Sequence, residues 1–281
     1  MQEFRGRVAA ITGAGSGIGR SLAVQLAKRG AHLALSDIDE TGLAETASLA
    51  GSTGVKITTQ RLDVADRGAV HEWADRVVAD HGKANLIVNN AGVALGATVE
   101  GMSYEDLEWL LAINLDGVIS GTKAFLPHLK AAGEGHIVNL SSVFGLIGIP
   151  SQSAYNAAKF AVRGFTEALR VELDIERCGV SATTVHPGGI KTNIARSARI
   201  DDSVAALGQD PADAKQGFER LFITSPKRAA QVIIKAIEKD KRRAMIGPDA
   251  HLINLVAKLP PSTYQRVLAW GATARTPGAD R

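Results

Sequence analysis

Ser142, Tyr155 and Lys159 are the residues whose types and spacing could do chemistry. Ser142 follows the apolar run 135–140, and Tyr155 and Lys159 lie four apart in a helical pattern. Residues four apart share a helix face, so a phenol and an ammonium can enter one pocket. An unperturbed tyrosine titrates near ~10, which leaves about one in a thousand ionised at neutral pH. A neighbouring ammonium favours the phenolate and lowers that value, giving a general acid or base that works closer to neutrality. Ser142 adds a hydrogen-bond donor for an oxygen that gains or loses charge. The trio suits proton transfer to or from a carbonyl or alcohol oxygen. It holds no source of hydride, so the rest of the chain has to provide one. Taken alone, Tyr155 and Lys159 also read as an exposed pair of a kind common on helices.

The elements that would position these groups alternate. Residues 7–12 form a strand pattern that runs into Gly13-Ala14-Gly15-Ser16-Gly17-Ile18-Gly19 and then a helical pattern ending at Gly30. Glycines there let a pyrophosphate approach the N–H groups and dipole of a helix N-terminus. The spacing is not Gly-x-Gly-x-x-Gly, because Ile18 and Arg20 stand where its third glycine would fall. A second strand pattern, 31–36, is closed by Asp37, placed to accept hydrogen bonds from an adenosine ribose. A carboxylate there repels a 2′-phosphate, and Ile38 follows where a phosphate-reading site prefers arginine, so NAD is favoured and NADP is the lesser alternative. Asp37 also reads as a helix N-cap, a role open to Asp39.

Further strand patterns at 55–62, 84–88, 135–140 and 180–185 end at Asp63-Val64, Asn89-Asn90-Ala91-Gly92, Ser142 and His186-Pro187-Gly188-Gly189. Helical patterns lie between them; one long helix after the capping residue Ser103 carries Trp109, Ile113 and Asn114. Strands alternating with helices predict an α/β fold with a doubly wound parallel sheet of about seven strands and helices on both faces. Ligands of such sheets sit at the carboxyl ends of the strands, where the marked residues fall together.

Composition narrows the function classes. The chain has 281 residues, 45% hydrophobic and 22% charged, enough for one large domain with a sizeable core. A net charge of +3 and the lack of a basic stripe argue against nucleic acid. The dense basic run 239–243 reads as a solvated helix end. One cysteine, Cys178, allows no internal disulfide and fits a reducing, cytoplasmic setting. The seven histidines are scattered, so no metal site is expected. The first residues lack a signal-peptide core, and no run of ~18 apolar residues predicts a membrane span.

In their order, these motifs resemble the short-chain dehydrogenase/reductase family over residues 4–247. Thr12-Gly13-x-x-x-Gly17-x-Gly19 is similar to the family's cofactor turn, with Ser16 and Ile18 inside it. Asp63-Val64 resembles its adenine-contacting pair, Asn90-Ala91-Gly92 its ribose-side motif, and Pro187-Gly188 with Thr192 its nicotinamide-side motif. Asn114, Ser142, Tyr155 and Lys159 resemble its catalytic tetrad; Ser141 could be confused with Ser142, but the spacing to Tyr155 favours Ser142. The resemblance implies a Rossmann-type sheet. It makes Tyr155 the acid/base and Ser142 the holder of the substrate oxygen. Lys159 would bind the nicotinamide ribose and lower the phenol, and Asn114 would position a water that links Lys159 to solvent. It also implies a homodimer or homotetramer through the Asn114 and Tyr155 helices.

On the substrate side, Val93, Leu95, Val143, Phe144, Leu146, Gly189 and Ile190 are apolar or small, and Gln152 is the main polar candidate. No arginine adjoins these motifs to clamp a carboxylate, so the expected substrate is a hydrophobic secondary alcohol or ketone. The resemblance also implies a substrate lid at residues 191–225, a stretch broken by Gly208 and Pro211 that offers Ile194, Ile200, Val204, Leu207, Phe218, Leu221 and Phe222. The expected domain is 1–250, followed by an amphipathic tail, 251–281, whose last stretch from Gly271 reads as flexible. The tail could pack on its own subunit or a partner, cover the substrate channel, or lie on a membrane surface; the first two are favoured. Two rival functions stay open: an NADPH-dependent carbonyl or acyl reductase, and a cofactor-binding regulator without catalysis.

Overall fold

The computed structural model describes residues 1, 3–212 and 222–273. Strands β1 (Val8–Thr12), β2 (His32–Asp37), β3 (Ile57–Arg61) and β4 (Leu86–Asn89) lie in the main sheet, and β5 (Leu95–Gly96) lies outside it. The later strands are β6 (Gly135–Leu140), β7 (Val180–Pro187), β8 (Arg199–Ile200) and β9 (Arg243–Ile246). Seven of these form one sheet in the order β3-β2-β1-β4-β6-β7-β9, and β5 and β8 form a separate pair. Every neighbour in the main sheet is parallel.

The central strands are buried on both faces, which is why they read as continuous apolar runs rather than alternating ones. Their side chains still alternate. Ala9 and Ile11 of β1 join Leu22, Leu26, Ile233 and Ile237 in the core on one face. Val8 and Ala10 join Trp73, Phe125, Leu129 and Leu169 on the other. The first face is covered by helices α1 (Gly17–Ala27) and Pro226–Glu238, and the second by α3 (Arg67–His81), α5 (Gly117–Ala131) and α6 (Ser153–Glu176). Helix α2 (Glu40–Gly51) follows β2 and is capped by Asp39, whose carboxylate accepts the Gly42 N–H. That leaves Asp37 free of the cap. The strand order reverses between β1 and β4, so a crevice opens at their carboxyl ends.

The single long helix predicted after Ser103 is three elements. Ser103 caps α4 (Tyr104–Leu111), a π turn occupies Ala112–Asp116, and α5 follows. Asn114 sits in that π turn, fully buried. The basic run 239–243 follows the end of the Pro226–Glu238 helix with residues 239–242 exposed, as expected, and carries ion pairs there: Asp240 takes both ends of the Arg170 guanidinium at 2.9 and 2.8 Å, and Arg242 pairs with Asp174 at 2.6 Å.

In the lid candidate, β8 pairs with β5 and a 3-10 helix covers Asp202–Leu207, ending at Gly208 in the left-handed region. Val204 is core and Leu207 is exposed, while Phe218 and Leu221 lie outside the described residues. The tail contains helices Pro248–Val256 and Pro261–Thr273, so its first helix starts three residues before the predicted boundary at 251. Residues 274–281 lie outside the described residues. Among the described residues, no helix is long and apolar enough to cross a membrane.

Candidate active site

The β1 turn is pinned from β4. Thr12 Oγ accepts the N–H groups of Asn90 and Ala91 at 3.0 and 3.1 Å, and Asn90 Nδ2 donates to the carbonyls of Thr12 and Gly13 at 2.9 and 3.0 Å. Gly13 adopts a positive φ of 63°, and a Cβ there would stand 2.8 Å from the Ala91 Cα. A Cβ on Gly19 would stand 2.2 Å from the Gly13 carbonyl oxygen, so Gly19 brings α1 against the turn. Ser16 is the N-cap of α1 but its side chain caps nothing, which leaves first-turn N–H groups for an anion.

At the end of β2, Asp37 Oδ2 accepts the Gly15 N–H at 2.7 Å and Oδ1 accepts that of Asp39 at 3.0 Å. Each oxygen keeps a lone pair for a ribose hydroxyl. Ile38 is 61% exposed at the same edge. The nearby Arg20 bonds the carbonyls of Gly15 and Gly42 and pairs with Glu45 at 2.8 Å, so its charge is already engaged. Asp63 and Val64 complete this end of the cleft.

At the other end, Ser142 leaves β6 with its Oγ accepting the Phe144 N–H at 3.1 Å, and its hydroxyl is near enough to the Tyr155 phenol to favour the phenolate. Ser141 points the opposite way, as strand alternation requires, and donates to the Lys159 carbonyl at 2.8 Å. Lys159 is buried and donates from Nζ to the Leu140 carbonyl at 3.0 Å. Phe144 stands edge-on to Tyr155, ring centres 6.0 Å apart. Burial pushes the Tyr155 phenol up to about 12, with the Ser142 hydroxyl pulling the other way, and pushes Lys159 down to about 8. The expectation that Lys159 holds the phenol down is therefore outweighed here by desolvation.

Asn114 is anchored through its side chain. Its amide is engaged with one residue: Oδ1 accepts the Val93 N–H and Nδ2 donates to the Val93 carbonyl, both at 2.8 Å. It does not line the cleft, but meets Lys159 across Gly92, where a Cβ would lie 3.1 Å from Asn114 Oδ1 and 3.7 Å from Lys159 Nζ. Asn114 thus holds the chain after β4 in place from behind.

One cleft of about 450 Å³ brings together Gly13, Ser16, Gly17, Ile18, Asp37, Asp63, Val64, Asn90, Ala91, Gly92, Ser142, Phe144, Gln152, Tyr155, Lys159, Pro187, Gly188, Gly189 and Thr192. Gly19 and Asn114 act from outside it. Val93, Val143, Ile190, Ile194 and Phe222 also line it, whereas Leu95 and Leu146 are core. No arginine lines it among the described residues. An elongated dinucleotide fits this donor set: a glycine cradle at an uncapped helix end, a carboxylate at the ribose edge, and a phenol and ammonium at the far end.

Sequence reasoning missed three supports. His186 is wholly buried and bonds the Ser142 carbonyl through Nδ1 at 3.0 Å; burial pushes it down to about 4, so the ring is neutral and Nδ1–H donates. Asn156 donates to the Phe144 and Ile147 carbonyls at 2.7 and 2.9 Å and accepts the Ile149 N–H at 3.0 Å, fastening loop 143–150 to α6. Its place one residue after Tyr155 was visible, but its targets are not local. Asp249 and Ile253 line the cleft from the tail.

The family model described as short chain dehydrogenase matches residues 7–203. The chain is 49% identical to SadH of Mycobacterium tuberculosis, a protein named as an oxidoreductase, over 99% of this chain and 100% of that one. A short-chain dehydrogenase/reductase from Burkholderia phymatum, solved in complex with NAD, superposes with a TM-score of 0.84 at 31% identity, covering 95% of this chain and 97% of that one. An alcohol dehydrogenase from Thermococcus sibiricus, complexed with 5-hydroxy-NADP, superposes with a TM-score of 0.70 at 28% identity, covering 85% and 95%.

Proposed function

Since the chain belongs to the short-chain dehydrogenase family and is an NAD(P)-dependent oxidoreductase acting on CH–OH groups, we propose that it interconverts a hydrophobic secondary alcohol and its ketone, with NAD preferred. The observation that carries this reading is the Ser142 hydroxyl, backed by the Phe144 N–H, lining with the Tyr155 phenol one cleft walled by Val93, Val143, Phe144 and Ile190. Asp37 and the engaged Arg20 support the cofactor preference.

A bound nicotinamide supplies the carbon that accepts the hydride in oxidation and returns it in reduction. The remaining steps fall to the chain's own residues. In reduction, Ser142 holds the carbonyl oxygen and the protonated Tyr155 gives its O–H proton to that oxygen as the carbon–hydrogen bond forms. In oxidation, the phenolate of Tyr155 takes the alcohol proton while the carbon loses its hydride. Lys159, held by the Leu140 carbonyl, adds positive charge near the phenol. The apolar walls exclude water and bind the remainder of the substrate. For self-association, Phe160, Val171 and Ile175 form one exposed stripe along α6, favouring a dimer or tetramer.

The test is turnover of purified protein with NAD or NADP and a panel of secondary alcohols from small and polar to large and apolar, with Tyr155→Phe as control. Turnover with NAD on apolar alcohols, reduced by about 10²-fold or more in the control, is the expected result. Turnover with NADP alone replaces the cofactor preference and favours the reductase reading. Cofactor binding without turnover on any member favours a regulator.

A further inference from the structure

The tail enters the cleft in a way the proton chemistry does not use. Asp249 and Ile253 stand four apart on the Pro248–Val256 helix, share one face, and both line the cleft. Asp249 Oδ2 accepts the Gly189 N–H at 2.6 Å. A Cβ on Gly188 would stand 2.0 Å from that oxygen, and one on Gly247 would stand 2.3 Å from Oδ1. The carboxylate is therefore seated in a glycine-lined notch against the turn after β7. On the same helix, Leu252 is 63% exposed and does not line the cleft. A second tie comes from the next helix, where the Tyr264 hydroxyl accepts the Gly148 N–H at 3.2 Å. The tail thus holds both loops that frame Tyr155: the 187–189 turn and the 143–150 loop.

We propose that the Pro248–Val256 helix is the specificity wall of the cleft. Asp249 latches it, and Ile253 limits the size of the uncharged apolar group held beside the reacting carbon. Ile190, Ile194, Val143 and Phe222 line the same cleft, so the group is aliphatic or aryl. Only the turnover arm of the test rests on the dehydrogenase reading.

Ile253→Ala and Ile253→Trp are compared with the exposed-face control Leu252→Ala in the full-length chain. Over a series of secondary alcohols of increasing length with NAD, Ile253→Trp lowers kcat/KM for the longest by about tenfold or more relative to the shortest. Ile253→Ala shifts the preference to longer members, and NAD affinity stays within about twofold throughout. Equal loss at every length, or no change, overturns the proposal. Titration with the uncharged fluorescent naphthyl ketone prodan needs no turnover. Wild type and Leu252→Ala bind it alike, and Ile253→Trp binds it about fivefold or more weakly. Equal binding by all three, or no saturable binding by wild type, overturns the wall. Prodan discrimination without turnover of any alcohol supports the wall and sinks the dehydrogenase reading instead. For the latch, Asp249→Asn raises amide exchange across residues 248–256 by about tenfold or more; unchanged exchange overturns it.

Discussion

The ammonium nitrogen of Lys159 lies 5.5 Å from the centre of the Tyr155 ring while donating to the Leu140 carbonyl. The lysine is thus fixed by the sheet, and the phenol it accompanies is ruled first by burial. Tyr155 is pushed up to about 12 and Lys159 down to about 8, both against the charged form.

The direction of these shifts sets the pH profile. Near neutrality Tyr155 carries its proton, the form that reduction needs, and oxidation needs the phenolate. The rate of alcohol oxidation therefore rises between pH 7 and 9, with a slope near one in log units, while ketone reduction stays flat over that range. Lys159→Met removes the nearby charge and moves the oxidation limb to higher pH. Parallel pH–rate profiles in both directions check this, and a flat oxidation limb would contradict it.

Cofactor choice turns on β2. Asp37 offers lone pairs to ribose hydroxyls, and Ile38 offers no charge to a phosphate. Wild type binds NAD about tenfold or more tightly than NADP. Asp37→Ser combined with Ile38→Arg reverses the order. Fluorescence titration of both reduced cofactors measures it.

The turn itself is intolerant of bulk. Gly19→Ala puts a Cβ against the Gly13 carbonyl, which Asn90 holds from β4. Overpacking against fixed backbone costs roughly 1–3 kcal/mol. The expected outcome is a fall in cofactor affinity of about tenfold with a lower Tm, read by titration and thermal unfolding. Gly51→Ala, with open space at its Cβ, serves as the tolerant comparison.

Acid stability depends on two buried histidines. His136 is pushed down to about 3 and His186 to about 4, both by desolvation. Between about pH 6.5 and these values the unfolded chain binds more protons than the native one, so stability falls as pH drops. Each histidine contributes roughly 1.4 kcal/mol per pH unit within its window. Tm falls from pH 6.5 to 4.5, above the range where the ion-paired carboxylates Asp174 and Asp240 titrate. His186→Gln makes that slope shallower, whatever its Tm at pH 7. An unchanged slope counts against the linkage.

What the sequence determined by itself is the alternation and the marked strand ends. Strand-forming runs and helical patterns follow from local periodicity, and Gly13, Asp37, Asn90, Ser142 and Pro187 close strands that all point one way. A parallel sheet must then gather them at one edge, so the cleft was legible before any coordinate. The pairing of Tyr155 with Lys159 was legible for the same local reason, whereas the cap stood open between Asp37 and Asp39 and the choice of Ser142 over Ser141 rested on the family resemblance. Tertiary structure decided the rest, because it depends on distance in space between residues remote in sequence. The π turn at Asn114 shows itself only where its amide meets Val93. Leu95 and Leu146 look like pocket residues until packing buries them. His186 acquires a purpose only beneath Ser142. Asp249 and Ile253 join the cleft only because the chain, having left the last strand, folds back over the turn that ends β7. The balance between ammonium and burial at Tyr155 was likewise undecidable from spacing, since desolvation is a property of everything packed around the phenol.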